Sequence, residues 1–417
     1  MIKFTEYTLD NGLHVVLHKD PNSSIAVTNI LYDVGSRDED ENHTGFAHLF
    51  EHFMFEGSKH IPNYDNPLQA AGGDSNAFTN PDCTNYYNVI PAVNLKTALW
   101  LESDRMLGLA FEEESLATQK SVVMEEFKEH YLNKPYGDQW HLMLDLAYKK
   151  HPYRWPTIGK NLEHIERIDM QAIKNFFRKY YAPNNAYLSI AGNFDEEEVK
   201  EWIDMYFGDI PAKEVPIRDL PKEEKQESYR RKIHHANVES DAFIAMWHCS
   251  ARMDSHYPSE DILSDVLGSG RSSRCQKELI DEQQLFVDLN VYVLGSLDPG
   301  LMVFEGRLND GVDHETAEAA LWKTVESLQT HGISNQEFNK VINKTLTDQA
   351  IDDLQLQNIA YNLSFFASQG NTEGINTEGI LYKSLTADDI QEAAKRLLKP
   401  MNASVIHYHK SPQAKSK

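Results

Sequence analysis

His48 and His52 stand four residues apart with Glu51 beside the second, in the string His48-Leu49-Phe50-Glu51-His52. At helical pitch, residues four apart lie on one face, so both imidazoles can reach one metal ion while Glu51 points to the same place. Zinc takes neutral imidazole nitrogens at about 2.0–2.1 Å, and a hydrolytic site keeps one coordination position open for water. A carboxylate within hydrogen-bond reach can take that water's proton. Two zinc ligands and a general base therefore supply most of a hydrolase. The plain alternative is a partly exposed helix in a chain that carries 18 histidines. A third ligand decides between them.

Candidates for that ligand lie in Gln119-Lys120-Ser121-Val122-Val123-Met124-Glu125-Glu126-Phe127-Lys128-Glu129-His130. This stretch reads as a helix ending near Asn133-Lys134-Pro135, because proline cannot continue a helix and pushes its predecessor out of the α region. Val122, Val123, Glu126 and His130 share a face by their spacing, which places Glu126 inward among apolar neighbours. A buried carboxylate there needs a cation. Glu125 and Glu129 are expected to face water, and an ordinary surface acid is the bland reading of Glu126.

The elements that must hold these side chains are legible around them. Thr5 to Leu17 alternates about Asp10-Asn11-Gly12, a hairpin signal, and Ser24 to Val34 gives a further strand ahead of the metal-ligand helix. Residues 94–108 and 114–132 have helical periodicity. A charged, proline-containing stretch from Pro211 to Glu227 reads as an inter-domain linker. The expected division is a metal-bearing domain 1–212, a linker 213–232 and a second domain 233–417. An internal repeat agrees with that cut: Ile168-Asp169-Met170-Gln171-Ala172-Ile173-Lys174 leads through a helix to Tyr181-Ala182-Pro183-Asn184-Asn185-Ala186-Tyr187-Leu188-Ser189-Ile190. Leu385-Thr386-Ala387-Asp388-Asp389-Ile390 leads likewise to Leu398-Lys399-Pro400-Met401-Asn402-Ala403-Ser404-Val405-Ile406. Only the first copy holds the His-x-x-Glu-His string, so the second domain is expected to lack this metal site.

From about residue 5 to its C-terminus the chain resembles a family, through separate motifs in a fixed order. Gly45-Phe46-Ala47 and Phe53-Met54-Phe55-Glu56-Gly57-Ser58 flank the string. Gly72-Gly73-Asp74-Ser75-Asn76-Ala77-Phe78-Thr79 and Thr84-Asn85-Tyr86-Tyr87 follow, and Gly268-Ser269-Gly270-Arg271-Ser272-Ser273-Arg274 lies in the second half. A His-x-x-Glu-His string with a ligand Glu about 75 residues later is the signature of the inverted-motif zinc peptidases, the pitrilysin, insulin-degrading enzyme and mitochondrial processing peptidase family. Here 126 − 52 = 74. The resemblance implies an α+β fold of two homologous domains, each a mainly antiparallel sheet packed with helices, together forming half of a clamshell. It assigns His48, His52 and Glu126 as ligands of one zinc ion per chain and Glu51 as the general base in hydrolysis of a peptide bond. Asn76 and Ala77 match the family's edge strand, whose main chain pairs with an extended substrate and gives sequence-tolerant affinity through backbone hydrogen bonds. Taken alone, Gly72-Gly73 before that segment would mark a turn and a strand start.

Two departures accompany the matches. Members usually carry a second Glu seven residues before the ligand Glu, and that position is Gln119. An amide can orient a neighbouring ligand but brings no negative charge. Members also complete the site with an Arg and a Tyr seven residues apart, which hold the substrate carbonyl, and the aligned positions are Ile280 and Val287. Neither can donate to an oxyanion, and losing one such donor costs on the order of 10²–10³ in rate. Arg274 and Tyr292 could take those roles only with the wrong spacing. The expectation is a zinc endopeptidase subunit that cleaves peptides or small unfolded proteins in a closed chamber, with the missing donors brought by a homologous partner in a heterodimer. A homodimer would be slow. The competing class is a non-catalytic structural or interaction subunit; an intact Glu51 speaks against it. A zinc hydrolase for non-peptide substrates is disfavoured by the Asn76-Ala77 strand.

Composition bounds the rest. A net charge of −24 over 417 residues argues against nucleic acid, which needs a basic face. An acidic chamber wall would favour basic peptides, although solubility explains the charge as simply. Hydrophobic content of 41% permits a core in each domain, and no stretch approaches the roughly 20 apolar residues that span a bilayer. Met1-Ile2-Lys3-Phe4-Thr5 enters the first hairpin without the apolar segment of a signal peptide, so a cytoplasmic location is expected unless a leader has been removed. Cys83, Cys249 and Cys275, odd in number and widely spaced, are expected to be reduced thiols. His43, His60, His234-His235 and His407-Tyr408-His409 are expected to be surface or packing residues.

Overall fold

The structure is a computed structural model and describes residues 1–411. These form two compact units, one of Met1–Glu129, Trp155–Leu220 and Gln349–Glu378, the other of His130–Arg154, Pro221–Asp348 and the described part of Gly379–Lys417.

The first unit is built on six strands: β1 (Thr5–Thr8), β2 (His14–Lys19), β3 (Ile25–Tyr32), β4 (Asp74–Thr79), β5 (Thr84–Pro91) and β6 (Ala186–Gly192). Their order is β1-β2-β6-β3-β5-β4, antiparallel throughout except for the parallel pair β2 and β6. The expected first hairpin forms at Gly12, whose φ of 89° suits glycine and whose added Cβ would meet Asn184 Cβ at 2.6 Å. Residues 26–32 of β3 are buried on both faces of the pleat. A strand of that kind must be covered on both sides. One cover is the helix Leu356–Ser368, whose Ala360 and Leu363 pack with Val16, Val27 and Ala191. Its Ser364 Oγ accepts from Asn29 Nδ2 at 3.1 Å and donates to Ser189 Oγ at 2.9 Å, so the polar groups of this interface are satisfied. On the other face lie the helices Phe46–Phe53 and Leu95–Leu107.

The second unit repeats the plan with β7 (Arg230–Ala236), β8 (Ala242–His248), β9 (Phe286–Leu294), β10 (Leu301–Leu308) and β11 (Ser404–Lys410), in the order β7-β11-β8-β10-β9. Here β7 and β11 are the parallel pair. Setting β1 aside, the two sheets have the same topology. The repeat read from the sequence is its closing element. The helices Met170–Tyr180 and Ala387–Leu397 are capped by Asp169 and Thr386, turn at Pro183–Asn185 and Pro400–Asn402, and feed β6 and β11.

The two compact units do not follow a linear division at 212 and 233: β7 begins at Arg230, inside the expected linker, and two helices lie with the sheet of the other half. Gln139–Ala147 precedes the cut yet packs Met143, Leu144 and Ala147 against Ile244, Met246 and Ile406 of the second sheet. Leu356–Ser368 follows the cut yet covers the first sheet. Each sheet has two apolar faces to bury, and the second cover is contributed from the other half of the sequence. The stretch 211–229 has no helix or strand and is pinned midway to both units. Arg218 binds Asp38 at 2.7 Å and Asp33 at 3.1 Å in the first unit, and Glu223 accepts from the amides of Lys149, Lys150 and His151 in the second. The cysteines are buried free thiols, and burial raises the pKa of all three. Among the described residues no helix is long and apolar enough to cross a membrane.

Candidate metal centre

The helix Phe46–Phe53 carries two stripes. Phe46, Leu49, Phe50 and Phe53 follow the three- and four-residue spacing of a buried face, with Phe50 4.4 Å from Tyr181 and Phe46 4.7 Å from Phe176, centroid to centroid. That packing turns His48 and His52 to the opposite side. The helix start is equally determined. Gly45 has a φ of 84°, and a Cβ there would lie 2.5 Å from Ile158 O. Glu39 caps the end, accepting from Ala47 N at 2.8 Å, Gly45 N at 3.1 Å and Trp155 Nε1 at 3.1 Å. A carboxylate is favoured at a helix N-terminus. Burial nevertheless pushes Glu39 up to about 8, against the donors from Ala47, Gly45 and Trp155 that pull it down.

The partner helix is Glu113–Phe127, continued by a wider turn over Lys128–Leu132. Its buried residues are Leu116, Val123 and Phe127. The expected inward face of Val122, Val123, Glu126 and His130 is therefore rotated: Val122 and His130 are exposed and Glu126 is half-buried. Three residues on from Val123, Glu126 falls about 60° off the buried stripe, at the rim where a side chain can reach a neighbouring helix. Glu125 and Glu129 face water, as expected.

There the groups converge. Glu126 Oε2 is 3.3 Å from His48 Nε2 and 3.6 Å from His52 Nε2, and one donor atom from each of the three residues lies within 4.8 Å of the others. Ligand atoms about 2.0–2.1 Å from a tetrahedral centre are about 3.3–3.4 Å apart, so two imidazoles and one carboxylate at these distances fit a zinc ion. Burial would lower the pKa of His48, but hydrogen bonds to Glu126 and Glu51 raise it to about 9. Burial and the neighbouring His48 lower that of His52. The acids thus hold one positive charge between them, a proton that a metal cation bound by neutral imidazoles would displace.

Around the ligands, Glu51 Oε2 lies 3.6 Å from His48 Nδ1 and accepts from Thr79 Oγ1 at 2.5 Å. Gln119 donates Nε2 to Glu56 Oε1 at 2.6 Å, and Ser115 Oγ donates to Glu56 Oε2 at 3.0 Å. The negative charge absent at Gln119 is thus present one link further out. Glu56 and Thr79 were given no role from the sequence. The available signals were Glu56 standing four after His52 and Thr79 two after Ala77 on one face of β4. β4 is the outer strand of its sheet. Asn76 is exposed, and its Oδ1 accepts the Ala77 amide at 2.8 Å, occupying a main-chain donor.

In the second unit, Ile280 packs against the core and Val287 is half-exposed at the start of β9. Arg274 is held by Glu337 at 2.8 Å and by Gly332 O at 2.7 Å, and Tyr292 donates to Glu305 at 3.1 Å. Both alternative donors have local structural partners.

Family models match both halves: residues 14–158 match insulinase (peptidase family M16), and residues 167–345 match the peptidase M16 inactive domain. The chain belongs to the pitrilysin/insulinase peptidase family. This M16 chain is 26% identical over 411 residues to the zinc protease PqqE of Helicobacter pylori, covering 97% of this chain and 92% of that one. It is 28% identical over 214 residues to the β subunit of the yeast (Saccharomyces cerevisiae) mitochondrial processing peptidase, covering 50% and 45%. A solved protease from Helicobacter pylori superposes with a TM-score of 0.91 at 26% identity, covering 98% of this chain and 99% of the other. Pitrilysin, at 19% identity and a TM-score of 0.76, shares the fold, with 98% of this chain matching 45% of that one. At family level the chain is a zinc metallopeptidase homologue, and its fold is that of the M16 peptidases.

Proposed function

We propose that this chain is the metal-bearing subunit of a zinc endopeptidase acting on peptides or small unfolded proteins in an enclosed chamber. The observation that carries it is the convergence of His48, His52 and Glu126 within 4.8 Å, with Glu51 beside them. Zinc bound by those three side chains would polarise a substrate carbonyl and acidify an attacking water. Glu51 takes the water's proton at a carboxylate oxygen, and the Thr79 hydroxyl fixes the rotamer that keeps that oxygen on the ligand side. The Glu56–Gln119 pair places a negative charge behind the ligands, one link from the family's second carboxylate position. An extended substrate adds to the free edge of β4, its carbonyl replacing the Asn76 amide on Ala77 N–H.

Ile280 and Val287 offer no hydrogen bond to a developing oxyanion, so those donors come from a homologous chain with Arg and Tyr at the corresponding positions. A relative whose name is that of a subunit supports this arrangement. The test is cleavage of an unstructured peptide by the zinc-loaded chain, alone and mixed with such a homologue, beside the same mixtures made with Glu51→Gln. The mixture is expected to exceed the chain alone by about 10²-fold or more. Glu51→Gln should lower its rate by about 10²–10⁴ with zinc retained. Equal rates with and without the homologue would end the donor-in-trans reading. Equal rates for Glu51→Gln would leave a non-catalytic interaction subunit.

A further inference from the structure

Three histidines of the second unit meet at one point. His407 and His409 are two apart on β11 and project from the same face of the strand. His314 opens the helix His314–His331, which packs on that face. One nitrogen from each lies within 4.8 Å of the others, and the His314 ring centroid is 4.7 Å from that of His407 and 4.2 Å from that of His409. The side chains of His314 and His407 are 1% and 2% exposed. Packing alone gives no reason to gather buried imidazoles, whose polar atoms are costly to desolvate.

The outward nitrogens are already committed. His314 Nε2 donates to Ala242 O at 3.0 Å, and His407 Nε2 to Glu318 Oε2 at 3.3 Å. In a neutral imidazole this leaves Nδ1 of each ring with the lone pair. An outer N–H on a carbonyl or carboxylate with the other nitrogen turned to a cation is the usual arrangement of a metal-ligating histidine. Asp241, the residue before β8, adds an oxygen: its Oδ2 is 3.3 Å from His409 Nδ1 and 3.6 Å from His314 Nδ1, while Oδ1 accepts from Lys410 N at 2.8 Å. Those two separations suit an edge of a coordination tetrahedron, about 3.3–3.4 Å, and place Asp241 at the rim of the three-histidine group.

We propose that His314, His407, His409 and Asp241 form a second binding site, for a divalent transition-metal cation of the Zn²⁺, Co²⁺ or Ni²⁺ class. Three imidazoles and one carboxylate suit those ions, whereas Mg²⁺ and Ca²⁺ prefer sets of oxygen and Cu⁺ prefers sulfur. His409 and Asp241 are each 31% exposed, and the exposed His235 stacks on His409 at 5.0 Å, so an ion enters over that pair onto a floor of His314 and His407. Three imidazoles with Asp241 at the rim make a structural site, one that ties β11 to the start of a helix and to the lead into β8. It shares no residue with the first centre and stands independently of the peptidase reading. It also revises the expectation of one zinc per chain, and of His407 and His409 as packing residues.

Chelator-stripped full-length chain, equilibrated with ZnCl2, desalted and measured for metal, tests this. Wild type is expected to hold about two zinc ions per chain and His48→Ala/His52→Ala about one. Adding either His409→Asn or Asp241→Asn to that pair should bring the count to about zero. Both side chains are partly exposed, so these variants keep the fold, verified by circular dichroism. ZnCl2 should raise the melting temperature of His48→Ala/His52→Ala and not of the triple variants. No zinc in His48→Ala/His52→Ala, or an equivalent that survives both further substitutions, would overturn the proposal.

Discussion

The two sheets share a strand order but treat the acid beside one corresponding helix differently. After β8 comes the helix Tyr257–Gly268, and its Glu260, 2% exposed, accepts from Ser250 N at 2.6 Å and from Arg396 Nη2 at 3.0 Å. Its cation is part of the chain. After β3 comes Phe46–Phe53, where Glu51 faces His48 and Glu126 faces both imidazoles. The charge needed there is a proton or a metal ion. One framework thus yields a rigid ion pair in one unit and an exchangeable cation site in the other. What separates them is whether the sequence itself supplies the counter-charge.

The comparison breaks most visibly through the packing that aims the imidazoles. Phe50→Ala should cost about 3–5 kcal/mol in denaturant unfolding and lose zinc at the first centre. Leu263→Ala in the second unit should cost about 2–5 kcal/mol and leave that zinc in place. Equal zinc loss in both would mean that general destabilisation, not the Phe50 stripe, governs binding.

Glu39 gives a pH-dependent test. In the folded state burial holds it at about 8, above its ordinary value of 4.5, so the folded state keeps the extra proton between those limits. Its contribution is full below pH 4.5 and is lost as pH rises to about 8, on the order of a few kcal/mol. Denaturation at pH 5.5 and 8.5 should therefore show wild type losing more stability than Glu39→Gln on going to the higher pH. The opposite difference would contradict the assignment.

A smaller effect sharpens the contrast in counter-charges. Glu56→Ala removes the carboxylate behind Gln119 and should weaken zinc binding at the first centre about 10–100-fold by chelator competition. Glu260→Gln, in the self-paired unit, should leave that affinity unchanged. An unchanged affinity in Glu56→Ala would reduce the Glu56–Gln119 pair to packing.

How much of this was legible follows from how local each signal is. His48, Glu51 and His52 lie within one helical turn, so spacing alone placed them on one face, and the hairpin at Gly12 and the two closing helix–turn–strand units were local as well. Spacing makes Glu126 a candidate but points to the wrong face, because Val122 is apolar without being buried. Thr79 and Glu56 act through tertiary contacts to Glu51 and Gln119, which no periodicity encodes. His314 and His407 are 93 residues apart and meet only because β11 docks beside β8. Nothing local in 139–147 or 356–368 shows which sheet the apolar face of each helix covers.

The central claim is that His48, His52 and Glu126 form the zinc site of this chain. X-ray absorption at the zinc edge, on stripped His409→Asn chain loaded with one equivalent, examines it directly. The claim predicts two imidazole nitrogens at about 2.0–2.1 Å with the remaining scatterers oxygen, and loss of both imidazoles when His48→Ala and His52→Ala are added. A shell of three imidazoles, any sulfur, or a spectrum unchanged by those two substitutions would contradict it.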